Sequence, residues 1–246
     1  MISGKVNYVI EGKYYSLKPS DILLINNKEL HKPDIKPGAV YERMVLWVNP
    51  DFIKKRCTNG TNLFLCFKST SKTKFNLLRP GSEMLGIIKN IMVKLDKSTT
   101  TISFGSNILK ETYLTELIVY LNRAYLETCD ENIEDDIMYD QKVNEIIHFI
   151  NQHLDGNLSL EALSERFYTS KYHLMREFKK HTGFTLHNYI QKKRLILAKA
   201  LLRDGIRITE VYQQCGFGDY SNFIRSFRNM YKVSPKKYGS GAKLKS

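Results

Sequence analysis

Two stretches in the last third of the chain carry one pattern written twice, and a chain that repeats a unit at a fixed offset must fold it twice. The first includes Ser170-Lys171-Tyr172-His173-Leu174-Met175-Arg176-Glu177-Phe178-Lys179. The second includes Asp219-Tyr220-Ser221-Asn222-Phe223-Ile224-Arg225-Ser226-Phe227-Arg228. An offset of 49 places Leu174 on Phe223, Arg176 on Arg225, Phe178 on Phe227 and Lys179 on Arg228. The shared pattern is apolar-x-Arg-x-Phe-basic, and each copy opens on a good helix N-cap, Ser170 or Asp219. Upstream the offset is 48, with Leu160 on Ile208, Leu163 on Val211 and Ser164 on Tyr212. One residue is therefore inserted in the second turn, at Gly216-Phe217-Gly218. Past the helix the 49 offset returns, pairing Phe184 with Val233, Thr185 with Ser234 and Tyr189 with Tyr238. Two helices with an apolar stripe and a fixed Arg read as paired recognition helices of a DNA binder.

Charge supports that reading. The formal net charge is +13. Residues 1–140 hold 19 Lys+Arg against 17 Asp+Glu, a net of +2, and residues 141–246 hold 19 against 8, a net of +11. A basic half of this kind suits a polyanion. No apolar run reaches the ~18 residues of a membrane span. The start, Met1-Ile2-Ser3-Gly4-Lys5, does not read as a signal peptide. Cys57, Cys66, Cys129 and Cys215 show no C-x-x-C spacing and read as reduced thiols. A cytoplasmic protein without membrane attachment is expected.

The first ~80 residues read as β. Val6, Tyr8 and Ile10 alternate before a turn at Glu11-Gly12-Lys13, and Tyr15 and Leu17 alternate before Pro19-Ser20-Asp21. Ile22-Leu23-Leu24-Ile25 and Met44-Val45-Leu46-Trp47-Val48 read as further strands. From about Gly81 the period becomes helical, and a stronger helix is expected from about Asn107 to Leu126, striped by Ile108, Tyr113, Leu114, Leu117, Ile118, Leu121 and Tyr125. That stripe fits either its own core or a second subunit. Asp130, Glu131, Glu134, Asp135, Asp136 and Asp140 mark an acidic linker where the charge balance shifts. The remainder reads as helical throughout. Its longest helix, Leu186 to Arg203, is ~27 Å at 1.5 Å per residue, enough to hold two modules about one DNA turn apart.

Residues 141–246 resemble the AraC/XylS family of transcription regulators. The resemblance is carried by Leu160-Glu161-Ala162-Leu163, Phe178-Lys179-Lys180-x-Thr182-Gly183, Tyr189-Ile190, Arg194-Leu195, Ala198, Leu201-Leu202, Gly216-Phe217, Phe223, Arg225-x-Phe227-Arg228 and Ser234-Pro235-x-x-Tyr238. It implies two helix-turn-helix units reading adjacent major grooves. Ser164 and Tyr212 stand where the family usually has a small Ala, and Lys232 where a Gly is usual. The Tyr212 change would loosen or re-angle the second unit. The N-terminal half resembles the family's cupin-type sensor, through Gly4-x-Val6-x-Tyr8-x-Ile10-x-Gly12, Tyr15-x-Leu17-x-Pro19-x-Asp21-Ile22-x-Leu24 and His31-x-Pro33. It looks short, as though Met1 enters mid-sheet, through a late start codon or a natural truncation.

The expected fold class is therefore α+β: a shortened cupin-like β-barrel with helices, then an all-α domain of two helix-turn-helix units. The expected divisions are a sensor over 1–104, a helical dimerisation segment and acidic linker over 105–140, and the DNA-binding domain over 141–246. Arg176 and Arg225 suit bidentate contact with guanine, Tyr172 and Met175 suit thymine methyl groups, and Asn222 suits adenine, with Ser221 on the same outward face. Lys171, Lys179, Lys180, Arg228, Lys236 and Lys237 read as phosphate contacts. Leu174, Phe178, Phe223 and Phe227 read as core. Tyr8, Tyr15, His31, Arg43 and Trp47 are effector-pocket candidates. No metal or cofactor is expected, because His31 has no H-x-H partner. The resemblance implies double-stranded DNA as partner, a homodimer, a sugar-like small-molecule effector and RNA polymerase contact, and no enzyme activity. Two alternatives stay open: a cupin-type enzyme with a basic appendage, and a nonspecific nucleic-acid binder.

Overall fold

The computed structural model describes residues 2–4, 6–38, 40–68, 75–127 and 134–243. Met1, Cys129, Asp130 and Glu131 lie outside the described residues. Strands β1 (Ser3–Gly4), β2 (Val6–Ile10), β3 (Lys13–Leu17), β4 (Ile22–Leu23), β5 (His31–Asp34), β6 (Tyr41–Glu42), β7 (Leu77–Leu78) and β8 (Ile137–Met138) form three small sheets, ordered β1-β6, β5-β2-β3-β8 and β4-β7. No sheet of the described residues closes into a barrel. The expected strand at Met44–Val48 is absent: these residues enter no ladder, and Trp47 is 84% exposed. A continuous apolar run needs a neighbouring strand to pair with, and here none lies beside it.

The helices are α1 (Pro50–Lys54), α2 (Ser82–Thr100), α3 (Ser106–Glu127), α4 (Gln141–Gln152), α5 (Leu160–Arg166), α6 (Lys171–Thr182), α7 (Leu186–Arg203), α8 (Ile208–Gln214), α9 (Tyr220–Tyr231) and α10 (Pro235–Lys243). The chain divides into two compact units. One comprises residues 1–8, 15–27 and 33–137, and the other residues 9–14, 28–32 and 138–246.

In the first unit α2 packs along α3 around Leu24, Leu78, Ile88, Ile91, Leu95, Leu117 and Leu121. Of the apolar stripe on α3, Leu117, Ile118 and Leu121 are buried, whereas Ile108 is 72% exposed. Buried polar groups here are bonded, as burial demands. Asn122 accepts from the Cys66 N–H and donates to the carbonyls of Leu63 and Ile118. Arg79 holds Asp21 through two bonds of 2.8 and 2.9 Å and reaches Asp136 at 2.6 Å. Hydrogen bonds to Asp21 and then Asp136 push its pKa up, and those from Lys18 and then Arg79 pull that of Asp136 down.

The second unit has two cores that meet along α7. Val143, Ile146, Ile147, Ile150, Leu163, Leu174, Phe178, Leu186 and Tyr189 make one. Leu195, Ala198, Leu202, Val211, Cys215, Phe223 and Phe227 make the other. Burial pushes the Cys215 thiol up to about 12. Short polar side chains start most of these helices: Asp140, Ser159, Ser170, Thr185 and Asp219 each accept from a backbone N–H of the first turn.

Candidate nucleic-acid interface

Each helix-turn-helix unit is a short helix followed by a twelve-residue one: α5 then α6, and α8 then α9. Both longer helices are amphipathic, so one face is committed to the core. Phe178, Phe223 and Phe227 are fully buried and Leu174 nearly so. The opposite face is what remains for a ligand.

On α6 that face carries Tyr172, Met175 and Arg176, all exposed. Arg176 lies 5.9 Å over the Tyr172 ring and pairs with Glu177 at 3.0 Å. Lys180 pairs with the same carboxylate at 3.2 Å. Hydrogen bonds from Lys180 and then Arg176 hold the Glu177 carboxyl below its usual range. Lys171 pairs with Glu161 at 2.5 Å, and Lys179 is exposed. Such exposed pairs are worth little, so a phosphate oxygen can replace the carboxylate cheaply.

On α9, Ser221, Asn222, Arg225 and Arg228 are all exposed. The Arg225 guanidinium donates to the Asn222 side-chain oxygen at 3.4 Å, which presents the two together. Lys236 and Lys237 sit exposed in the first turn of α10. Between the two helix-turn-helix motifs, within residues 138–246, lies a cleft of about 830 Å³ whose lining includes Tyr172, Met175, Lys179, His187, Gln191 and Asn222. His187 and Gln191 on α7 escaped the sequence reading. Their spacing fits an ordinary solvent face, and only the placement of α7 between two recognition helices singles them out.

Tyr212 lies on α8, the first helix of the second unit. Its ring packs edge-on against Tyr220 at 5.5 Å, bracing the start of α9. Lys232 takes a left-handed conformation, φ 61°, where Gly183 stands at 71° after α6.

The pocket candidates are less gathered. Tyr8 and Arg43 come together, with the guanidinium donating to the Tyr8 hydroxyl at 3.4 Å. Tyr15 is fully buried and donates to Asn76 at 3.1 Å. Trp47 stands out into solvent. His31 belongs to the other unit, with Nδ1 beside the Glu29 carbonyl at 3.1 Å. Among the described residues no group of His, Cys, Asp and Glu is placed to hold a metal ion.

Residues 163–240 match the helix-turn-helix domain family. The HTH-type transcriptional activator RhaS of Salmonella paratyphi A is 33% identical over 241 residues, covering 95% of this chain and 81% of the relative. The chain belongs to the AraC/XylS family of transcription regulators. It is a sequence-specific DNA-binding regulator. Among solved structures, the C-terminal domain of the two-component response regulator yesN from Fusobacterium nucleatum is 30% identical, covering 41% of this chain and 99% of its own, with a TM-score of 0.39. The DNA-binding domain of AdpA in complex with a target DNA is 26% identical, covering 41% and 91%, with the same TM-score. Within this AraC/XylS chain no helix of the described residues is long and apolar enough to cross a membrane.

Proposed function

We propose that α6 and α9 enter successive major grooves of one duplex. Tyr172, Met175, Arg176, Ser221, Asn222 and Arg225 face base edges there, and Lys171, Lys179, Lys180, Arg228, Lys236 and Lys237 hold phosphates. The observation that carries this reading is the shared division of both helices: phenylalanine buried on one side, arginine exposed on the other. Residues 141–246 are the DNA-binding part, 1–104 the sensor and 105–140 the link. The exposed Ile108 on α3 supports a homodimer seam on that helix. The Tyr8–Arg43 pair supplies a polar anchor for a small, sugar-like effector in a cupin-like sensor. The similarity to an HTH-type transcriptional activator supports activation, through contact with RNA polymerase, by a regulator rather than an enzyme.

Fluorescence anisotropy on a duplex selected from a random pool tests base reading. Arg225→Ala should lose ~1–3 kcal/mol on that duplex and relax one base pair, while Lys180→Ala weakens every duplex alike. An Arg225→Ala variant that loses selected and random duplexes by the same factor refutes the base-reading role.

A further inference from the structure

The DNA-binding unit includes a piece of chain from far upstream. The hairpin between β2 and β3 turns through Glu11 and Gly12, at φ 48° and 78°. Two successive left-handed residues make the tight turn that suits paired strands. Asn or Gly is the ordinary first residue there, and a glutamate is strained. Its side chain accounts for the exception. The Glu11 carboxylate accepts from the Tyr189 hydroxyl, from Lys193 Nζ at 3.2 Å, from Asn151 at 3.3 Å and from the Leu30 N–H at 2.5 Å. Lys193 also donates to the Lys28 carbonyl at 2.6 Å. Tyr189 is fully buried and Lys193 is 7% exposed. A buried lysine is costly unless paired and hydrogen-bonded, and here both conditions hold.

The tip is seated as well as bonded. A Cβ on Gly12 would lie 2.7 Å from Ile147 Cδ1 on α4 and 3.6 Å from Thr182 Cγ2 on α6. The Tyr14 hydroxyl donates to the Lys180 carbonyl in the last turn of α6, and the Tyr14 ring meets His181 edge-on at 6.4 Å. The hairpin thus touches α4, the C-terminal end of α6 and the first half of α7. With it in place Tyr172, Met175 and Arg176 stay exposed. It braces the first recognition helix from behind and leaves the reading face open.

We propose that Glu11 is a positioning residue for DNA reading, setting the angle at which α6 presents Arg176 and so the base selectivity of the first unit. This rests on the reading of α6 and α9 as recognition helices. The second unit has its own core, to which Glu11, Gly12, Tyr14, Tyr189 and Lys193 do not belong.

The full chain carrying Glu11→Gln tests this, by anisotropy against the selected duplex and a set of duplexes with single base changes across both half-sites. Arg225→Ala marks the half-site read by α9. The expected result is about a tenfold loss of affinity, with base preference flattened at the α6 half-site and intact at the α9 half-site. Tyr14→Phe, which removes only the hydroxyl from the end of α6, should flatten the same half-site by a smaller factor. It decides the matter by the same readout if circular dichroism shows that Glu11→Gln does not fold. Wild-type selectivity retained at both half-sites overturns the proposal, and so does equal loss at both, the mark of general destabilisation. A wild-type chain that binds selected and random duplexes alike overturns the recognition-helix reading, and this proposal with it.

Discussion

The first helix-turn-helix unit carries Tyr168 in the left-handed turn before its recognition helix, where the second carries Gly216; after the helix the first carries Gly183 and the second Lys232. All four residues have φ between 47° and 72°. The backbone plan is therefore shared, and each unit places a side chain where its twin has none. The glycines are not interchangeable with these residues. A Cβ on Gly216 would lie 2.3 Å from the Leu154 carbonyl oxygen and 2.8 Å from the Arg194 guanidinium, whereas Tyr168 stands 94% exposed. Arg194 is pinned there by bonds to the carbonyls of Leu154 and Gly156 at 2.9 and 2.8 Å. The second turn is thus buried against the linking helix and the first is open. The units also differ in support: upstream chain buttresses the first, while the second stands on α7, α8 and α10. A repeated motif fixes the dihedral angles, and the surroundings decide which residues tolerate them.

The largest expected break in the comparison comes from removing the buttress. A fragment of residues 141–246 should fold and bind DNA with strong salt dependence, with its first unit loosened. Losing one partner of a buried pair costs roughly 3 kcal/mol or more. Amide exchange should quicken in α4 and α6 and stay slow in α9, and uniform quickening would contradict the asymmetry. Next, Gly216→Ala adds left-handed strain and a backbone clash, about 3 kcal/mol in all, seen as a lower thermal midpoint; Tyr168→Ala at the twin position should change it little. The N-caps come third. Ser170→Ala and Asp219→Ala should each cost about 1 kcal/mol by urea titration, and equal losses would show that capping is the one feature the units share in full. Smallest, Lys232→Gly and Tyr168→Gly should each raise stability by about 1 kcal/mol or less, by relieving left-handed strain. A loss in either would mean that the side chain makes a contact worth more than its strain.

Local features were legible from sequence. The stripe and terminal signals of α7 fix Leu186–Arg203, Ser170 and Asp219 cap their helices, and Gly183 is left-handed, because each depends on neighbours within a turn. The division of α6 and α9 into a buried and an exposed face follows from the same period. Features with distant causes were not legible. Met44–Val48 has the composition of a buried strand, yet composition cannot say whether another strand lies beside it. Tyr168 carries no sign of its φ, which the two helices around it impose. Glu11 reads as a turn residue because its partners Tyr189 and Lys193 lie 178 and 182 positions away.

That separation has a meaning in time. Chains are made from the N-terminus at about 5–20 residues per second, so 178 residues take roughly 10 to 40 seconds. For that interval after the hairpin has emerged, its carboxylate has neither Tyr189 nor Lys193 to bond, and α4 and α6 are finished before the lysine that completes their buttress exists. The first unit cannot lock until α7, which follows it in the chain, has been made.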